Sequence, residues 1–85
     1  MEEYFNEKQK EALKFFQENL DKLASDPLYR LKYIIIYGNN ISGIFDTFEN
    51  ALKDALFKYP QHDFIIQQVI PNNEVVNFLY PAVSL

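Results

Sequence analysis

The chain has 85 residues, no cysteine and a formal net charge of −4, and 48% of its residues are hydrophobic. This length predicts a single domain, residues 1–85. The lack of cysteine excludes disulfides, thiol nucleophiles and thiolate metal sites, and favours a reducing, cytoplasmic compartment. The acidic balance disfavours binding to nucleic-acid phosphates. The acidic start Met-Glu-Glu is unlike a signal peptide, and the longest apolar run, residues 33–37, is too short to span a membrane.

A helical repeat of apolar residues predicts an amphipathic N-terminal helix over residues 4–25. Its charged face is expected to meet solvent. Asp26 and Pro27 predict its end, because a residue that precedes proline avoids helical geometry. The apolar stripe consists of Ala12, Phe16, Leu20, Leu23 and Ala24.

A β-hairpin is predicted next. Residues 33–37 are β-branched or aromatic, which is typical of a strand, and residues 41–45 form the return strand. The Gly-Asn-Asn sequence between them is suited to a tight turn, because these residues tolerate positive φ. Gly43, inside the return strand, predicts a β-bulge or a close approach of another group to the backbone.

A second helix is predicted over residues 47–59. Asp46 has the side chain of an N-cap residue, and Glu49, three positions later, completes the pattern of a capping box. Pro60 predicts the end of this helix. A third strand over residues 63–70 is expected to follow.

The last predicted strand covers residues 75–80, after a proline turn. The expected fold is therefore α+β, with an N-terminal amphipathic helix and a β-β-α-β-β unit over residues 31–83. Its sheet would have four, mostly antiparallel strands. Both faces of the first strand are apolar, so both faces of the sheet need a cover. The second helix covers one face, and either the N-terminal helix or a second subunit covers the other.

Several short motifs occur in a fixed order between residues 29 and 71. They are a Lys-Tyr strand start, a glycine-containing strand that leads into a helix cap, a Phe-Ile-Ile-Gln strand and a proline turn. Together they resemble a small bacterial domain family of unknown function. The matching positions are Lys32, Tyr33, Gly43, Phe45, Asp46, Thr47, Glu49, Ala51, Phe64, Ile65, Ile66, Gln67 and Pro71.

This resemblance covers about half of the chain and brings no known reaction. It implies the sheet and helix unit, a bacterial or phage origin and an accessory role beside an enzyme encoded nearby. The chain departs from the family at two places. Leu31 stands where the family has a glycine, and residues 78–83 lack the arginine that family members carry in their closing strand.

The sequence offers no catalytic, cofactor-binding or metal-binding residues. His62 is the only histidine, and it lies in a short turn after the second helix. A general base or a metal ligand needs partners that converge in space, and no such pattern accompanies it. We therefore expect His62 to be a turn residue and the protein to lack enzymatic activity.

The favoured function is a non-enzymatic protein–protein interaction module, acting as an accessory, regulatory or inhibitor-type subunit in a bacterium or phage. The alternative is a structural domain that forms homo-oligomers and has no separate partner. An enzyme and an acidic mimic of nucleic acid remain as further hypotheses. Tyrosine and phenylalanine are anchors that interfaces favour. Gln67 and Gln68 stand in an otherwise apolar strand, so one of them must face inward or towards a neighbour, where its amide needs a partner within the fold or at an interface. The residues predicted to bind a partner are Phe15, Tyr29, Tyr37, Gln68, Phe78 and Tyr80.

Overall fold

The structure is a computed structural model that describes residues 5–71. In these residues, a three-stranded sheet lies between two helices. The strand order is β2-β1-β3, and both pairings are antiparallel. β2 and β3 are therefore parallel, and the second helix connects them across β1. The elements are α1 (Glu7–Ser25), β1 (Tyr33–Tyr37), β2 (Asn40–Phe45), α2 (Phe48–Lys58) and β3 (Ile65–Gln68).

The predicted four-stranded β-β-α-β-β arrangement is wrong, although the class is α+β. The described residues have the order α-β-β-α-β and a sheet of three strands. The strand predicted over 75–80 lies outside the described residues. The third strand is also shorter than predicted, because the apolar residues on either side of it, such as Phe64 and Val69, are buried without extending the ladder. Apolar composition reports burial and does not fix where strand pairing begins or ends.

The two helices cover opposite faces of the sheet. Ile34 and Ile36 pack in a cluster with α1, whereas Ile35 packs in a second cluster with α2. This split follows from the period of two along a strand. α1 of the same chain therefore covers the face that could have required a second subunit.

The β1–β2 hairpin confirms both predictions for Gly43. The register shifts between Ile35 and Ile36, which pair with Gly43 and Ile41, so that Ser42 is the extra residue of a bulge. A Cβ atom on Gly43 would lie 2.6 Å from Cε1 of Phe45. A larger residue here would therefore have to displace the Phe45 ring.

The N-cap of α2 is Thr47 and not the predicted Asp46. The Thr47 hydroxyl accepts a hydrogen bond from the Asn50 backbone N–H at 3.1 Å. The Asp46 carboxylate instead forms an ion pair with Lys32, which lies across the hairpin because Tyr33 pairs with Phe45. Two adjacent residues could cap the helix, and the strand register decides between them.

α1 begins with a capping box that the sequence analysis missed. The Asn6 side chain accepts from the Gln9 N–H at 2.8 Å, and the Gln9 side chain accepts from the Asn6 N–H at 2.9 Å. Gln9 is only 5% exposed, and its Nε2 donates to the carbonyls of His62 at 2.6 Å and Phe64 at 3.3 Å. This one side chain therefore caps the start of α1 and joins it to the segment that leads into β3.

Candidate functional site

The residues predicted to bind a partner that fall within 5–71 lie in three different places. The two ends of β1 are about 13 Å apart, because a strand rises about 3.3 Å per residue. Tyr29 and Gln68 lie where β1 begins, and Tyr37 lies where it ends. Phe15 lies on α1. Phe78 and Tyr80 lie outside the described residues.

Residues 28–31, here called the leucine turn, connect α1 to β1. Asp26 shapes the turn, since its carbonyl accepts from the N–H groups of Tyr29 and Arg30 at 2.9 Å and its carboxylate accepts from the Leu28 N–H at 2.9 Å. The turn exposes two large apolar side chains, with Leu28 58% and Leu31 54% accessible to solvent. Neither leucine belongs to the buried clusters on the two faces of the sheet.

Leu31 has a left-handed backbone, with φ of 65°. That conformation costs a non-glycine residue about 1–2 kcal/mol. Three hydrogen bonds hold it in place. The Leu31 N–H donates to the Val69 carbonyl at 2.7 Å, the Leu31 carbonyl accepts from Gln68 Nε2 at 3.2 Å, and the Val69 N–H donates to the Lys32 carbonyl at 2.9 Å. The turn is therefore anchored to the end of β3 while its two leucines face solvent.

Tyr29 and Gln68 hold the leucine turn in place and add little to its exposed apolar surface. Tyr29 is half-buried and packs against the α1 side of the core. Gln68 is half-buried, and its side-chain amide is used by the Leu31 carbonyl. Phe15 also packs against the α1-side cluster.

The other end of β1 carries an aromatic pair. Tyr37 and Tyr59 stack with ring centroids 4.3 Å apart and an angle of 8° between the rings. The Lys8 ammonium lies over the Tyr37 ring, 4.9 Å from its centroid. Tyr59 Oη and Ser42 Oγ share a hydrogen bond at 2.9 Å. Tyr37, predicted to bind a partner, is thus half-buried in a network that joins α1, β1 and α2.

A pocket of about 190 Å³ opens beside this pair, and we call it the tyrosine pocket. It lies where α2 ends and the chain turns back towards β3. Its lining combines rings with charged and amide groups. The lining residues are Tyr37, Lys58, Tyr59, Pro60, Gln61 and Asp63.

Phe57 is the most exposed large apolar residue of the described chain, at 87%. It lies on α2 opposite the buried Ala51 and Ala55, half a helical turn away. Phe57, Leu28 and Leu31 were not among the residues predicted to bind a partner. Helical periodicity could have identified Phe57, because it falls outside the apolar stripe of its helix.

His62 serves in backbone structure, as predicted for a turn residue. Its φ is 63°, its N–H donates to the Tyr59 carbonyl at 2.9 Å, and its own carbonyl accepts from Gln9. Within residues 5–71, no group of three His, Cys, Asp or Glu side chains could hold a metal ion. In the same residues, no helix is long and apolar enough to cross a membrane.

Comparisons with known proteins give no match. No protein-family model matches the chain, and no curated protein or solved structure is significantly similar to it. The resemblance to a small bacterial family therefore stays a prediction.

Proposed function

We propose that this chain is a small, non-enzymatic protein–protein interaction module, and that the leucine turn is its main docking surface. The single observation that supports this most is Leu31, a leucine that is held in a left-handed conformation with its side chain in solvent. Strained residues persist only where surrounding structure holds them, and they concentrate at binding and catalytic sites.

The rest of the core supports the same proposal. The sheet is covered on both faces by helices of the chain itself, so the leucine turn is not needed to complete either buried cluster. Exposed apolar side chains that lie close together are typical of surfaces that bind proteins. Leu28 and Leu31 are three residues apart in one anchored turn, next to the half-buried Tyr29. A partner would gain apolar contact there without reshaping the module.

The compartment that we propose is a reducing cytoplasm. The complete lack of cysteine supports it, because small domains of oxidising compartments commonly depend on disulfides.

The test is an affinity pull-down from host lysate with matched variants. Leu28→Ser combined with Leu31→Asn removes both apolar side chains, and asparagine tolerates the left-handed backbone of position 31. Phe57→Ser is the control, since it removes a more exposed apolar side chain from α2. We expect a stoichiometric partner that the control retains and the double variant loses.

Sedimentation velocity on the purified protein separates the alternative. A dimer that dissociates in the double variant, together with a pull-down that recovers only the bait, would replace the separate partner by a second copy of the chain. A monomer that recovers no partner would contradict both forms of the proposal.

A further inference from the structure

The tyrosine pocket has a size and a lining that fit a single side chain. Its volume is about 190 Å³, whereas pockets for drug-sized ligands are about 300–1,000 Å³. The Tyr59 and Pro60 rings and the edge of the Tyr37 ring form an apolar wall against which an alkyl chain can lie, since the faces of the Tyr37 ring are covered by Tyr59 and Lys8.

Among the charged groups around the pocket, the lysines are paired with carboxylates, and the Asp63 carboxylate has no partner among residues 5–71. Lys58 Nζ lies 2.9 Å from an Asp54 carboxylate oxygen and 3.3 Å from the Ser42 carbonyl, so the pocket's lysine is already engaged. Lys8, beyond the Tyr37 ring, is 4.0 Å from Glu11. Asp63 is half-buried in the pocket, and no hydrogen bond or ion pair joins its carboxylate to any of residues 5–71.

The hydroxyl groups of Tyr37 and Tyr59 differ in whether they already have a hydrogen-bond partner. Tyr59 Oη is occupied by Ser42, whereas the Tyr37 hydroxyl makes no hydrogen bond within residues 5–71. The pocket therefore offers two oxygen acceptors, a carboxylate that carries charge and a phenol that does not. An ionised carboxylate accepts hydrogen bonds and donates none, so it favours a ligand group that carries donors and positive charge.

We propose that the tyrosine pocket binds an alkylammonium or alkylguanidinium group, the side chain of a lysine or arginine that a partner protein inserts. The alkyl stem lies against the tyrosine rings and the charged head reaches Asp63. The net charge of −4 favours approach of a basic partner surface. The proposal rests on the proposed function for its biological setting, but the pocket can be tested without the partner and independently of the leucine turn.

The probe is a capped Gly-Lys-Gly tripeptide, titrated into the full chain and followed by NMR of the Tyr37 and Tyr59 ring protons. A capped Gly-norleucine-Gly peptide has the alkyl chain without the charge, and a capped Gly-Glu-Gly peptide has the opposite charge. We expect saturable shifts with the lysine peptide alone. Asp63→Asn should weaken its binding about tenfold, the usual worth of a hydrogen bond to a charged group. Glu49→Gln removes an equal charge from an exposed position on α2 and should leave the affinity within about twofold of the unmodified chain.

Three results would overturn the inference. They are equal shifts with the norleucine peptide, tighter binding of the glutamate peptide, or unchanged lysine binding in a folded Asp63→Asn variant. Tighter binding of a free diamine such as 1,4-diaminobutane than of the lysine peptide would overturn the assignment to a partner's side chain. Loss of the cellular partner through the leucine-turn variants, with lysine-peptide binding intact, would show that the two surfaces act separately.

Discussion

Two residues with left-handed backbones lie at opposite ends of the sheet, and each is held by a glutamine. His62 precedes β3, and Leu31 precedes β1, which runs antiparallel to it. The His62 carbonyl accepts from Gln9 Nε2 at 2.6 Å, and the Leu31 carbonyl accepts from Gln68 Nε2 at 3.2 Å. The same chemical device, an amide that donates to the carbonyl of a strained residue, is thus used twice.

The two glutamines differ in how deeply they are set. Gln9 is buried, caps α1 and also reaches the Phe64 carbonyl, whereas Gln68 is half-buried and makes one side-chain hydrogen bond to Leu31. At the His62 end the strained turn is therefore fastened into the core. At the Leu31 end it is held near the surface with a leucine in solvent. Backbone strain alone does not distinguish a structural turn from a docking surface, and the exposed apolar side chain does.

Removal of each glutamine should give unequal losses of stability. Gln9→Ala deletes half of the capping box and two hydrogen bonds between α1 and the start of β3, so we expect it to lower the free energy of unfolding by about 2–3 kcal/mol. Gln68→Ala deletes the same atoms at the other end and should cost only about 0.5–1 kcal/mol. Urea unfolding, followed by circular dichroism, measures both.

Gln17→Ala serves as the control, because Gln17 is exposed on α1 and the change should leave stability within about 0.5 kcal/mol. Equal losses for Gln9→Ala and Gln68→Ala would mean that burial does not separate the two ends.

A third glutamine sharpens the comparison, because it is buried and its amide nitrogen has no partner among residues 5–71. Gln67 is 3% exposed and pairs with Ile34 on the side of the sheet that faces α1, and no acceptor within those residues meets its Nε2. A buried donor without an acceptor costs about 1–3 kcal/mol. Gln67→Met keeps the length of the side chain and removes the donor, so it should raise the free energy of unfolding by about 1 kcal/mol.

Gln68→Met is the matched change at the neighbouring position. It removes an amide that has a partner, and we expect no gain from it. A loss of stability in Gln67→Met would indicate that an acceptor meets the Gln67 amide in solution.

Local sequence patterns correctly predicted those elements whose boundaries are set by residues close to them in sequence. β1 has the predicted bounds, a turn with positive φ at Gly38 follows it, and Gly43 lies beside a bulge, because turn chemistry and strand alternation act over a few residues. β2 begins at Asn40, one residue earlier than predicted. The choice of Thr47 over Asp46 as a cap could not be predicted, since it depends on the ion pair of Asp46 with Lys32 across the hairpin. The strand over 75–80, which lies outside the described residues, was predicted from an apolar run after a proline turn, and neither signal specifies which sheet edge a strand would join.

The candidate site was less accessible to sequence reasoning. Tyr37 was selected for its aromatic character, but its stacking on Tyr59 and its position beside Asp63, which has no partner among residues 5–71, depend on α2 crossing over β1. The link from Gln9 to the start of β3 was missed for the same reason, since those partners lie 53 and 55 residues away in sequence, whereas its capping box with Asn6 is a local pattern that the sequence contains. The predicted resemblance had singled out one position of the site, because Leu31 stands where that family was expected to have a glycine.

Substituting glycine for Leu31 should have the smallest effect on the free energy of unfolding. In Leu31→Gly the left-handed backbone no longer costs about 1–2 kcal/mol, while the greater freedom of unfolded glycine offsets about 0.5–1 kcal/mol of that gain. The net change should be a stabilisation of about 0.5 kcal/mol. Leu28→Gly removes an equally exposed leucine from a residue without positive φ, so only the entropic loss remains and stability should fall. Urea unfolding of both variants measures the difference, which should be about 1 kcal/mol or more.

If Leu31→Gly is as destabilising as Leu28→Gly, position 31 stores no strain and the proposed docking surface loses its main support. If it is more stable but fails to retain the partner in the pull-down, then the leucine is kept at a cost to folding because binding requires it.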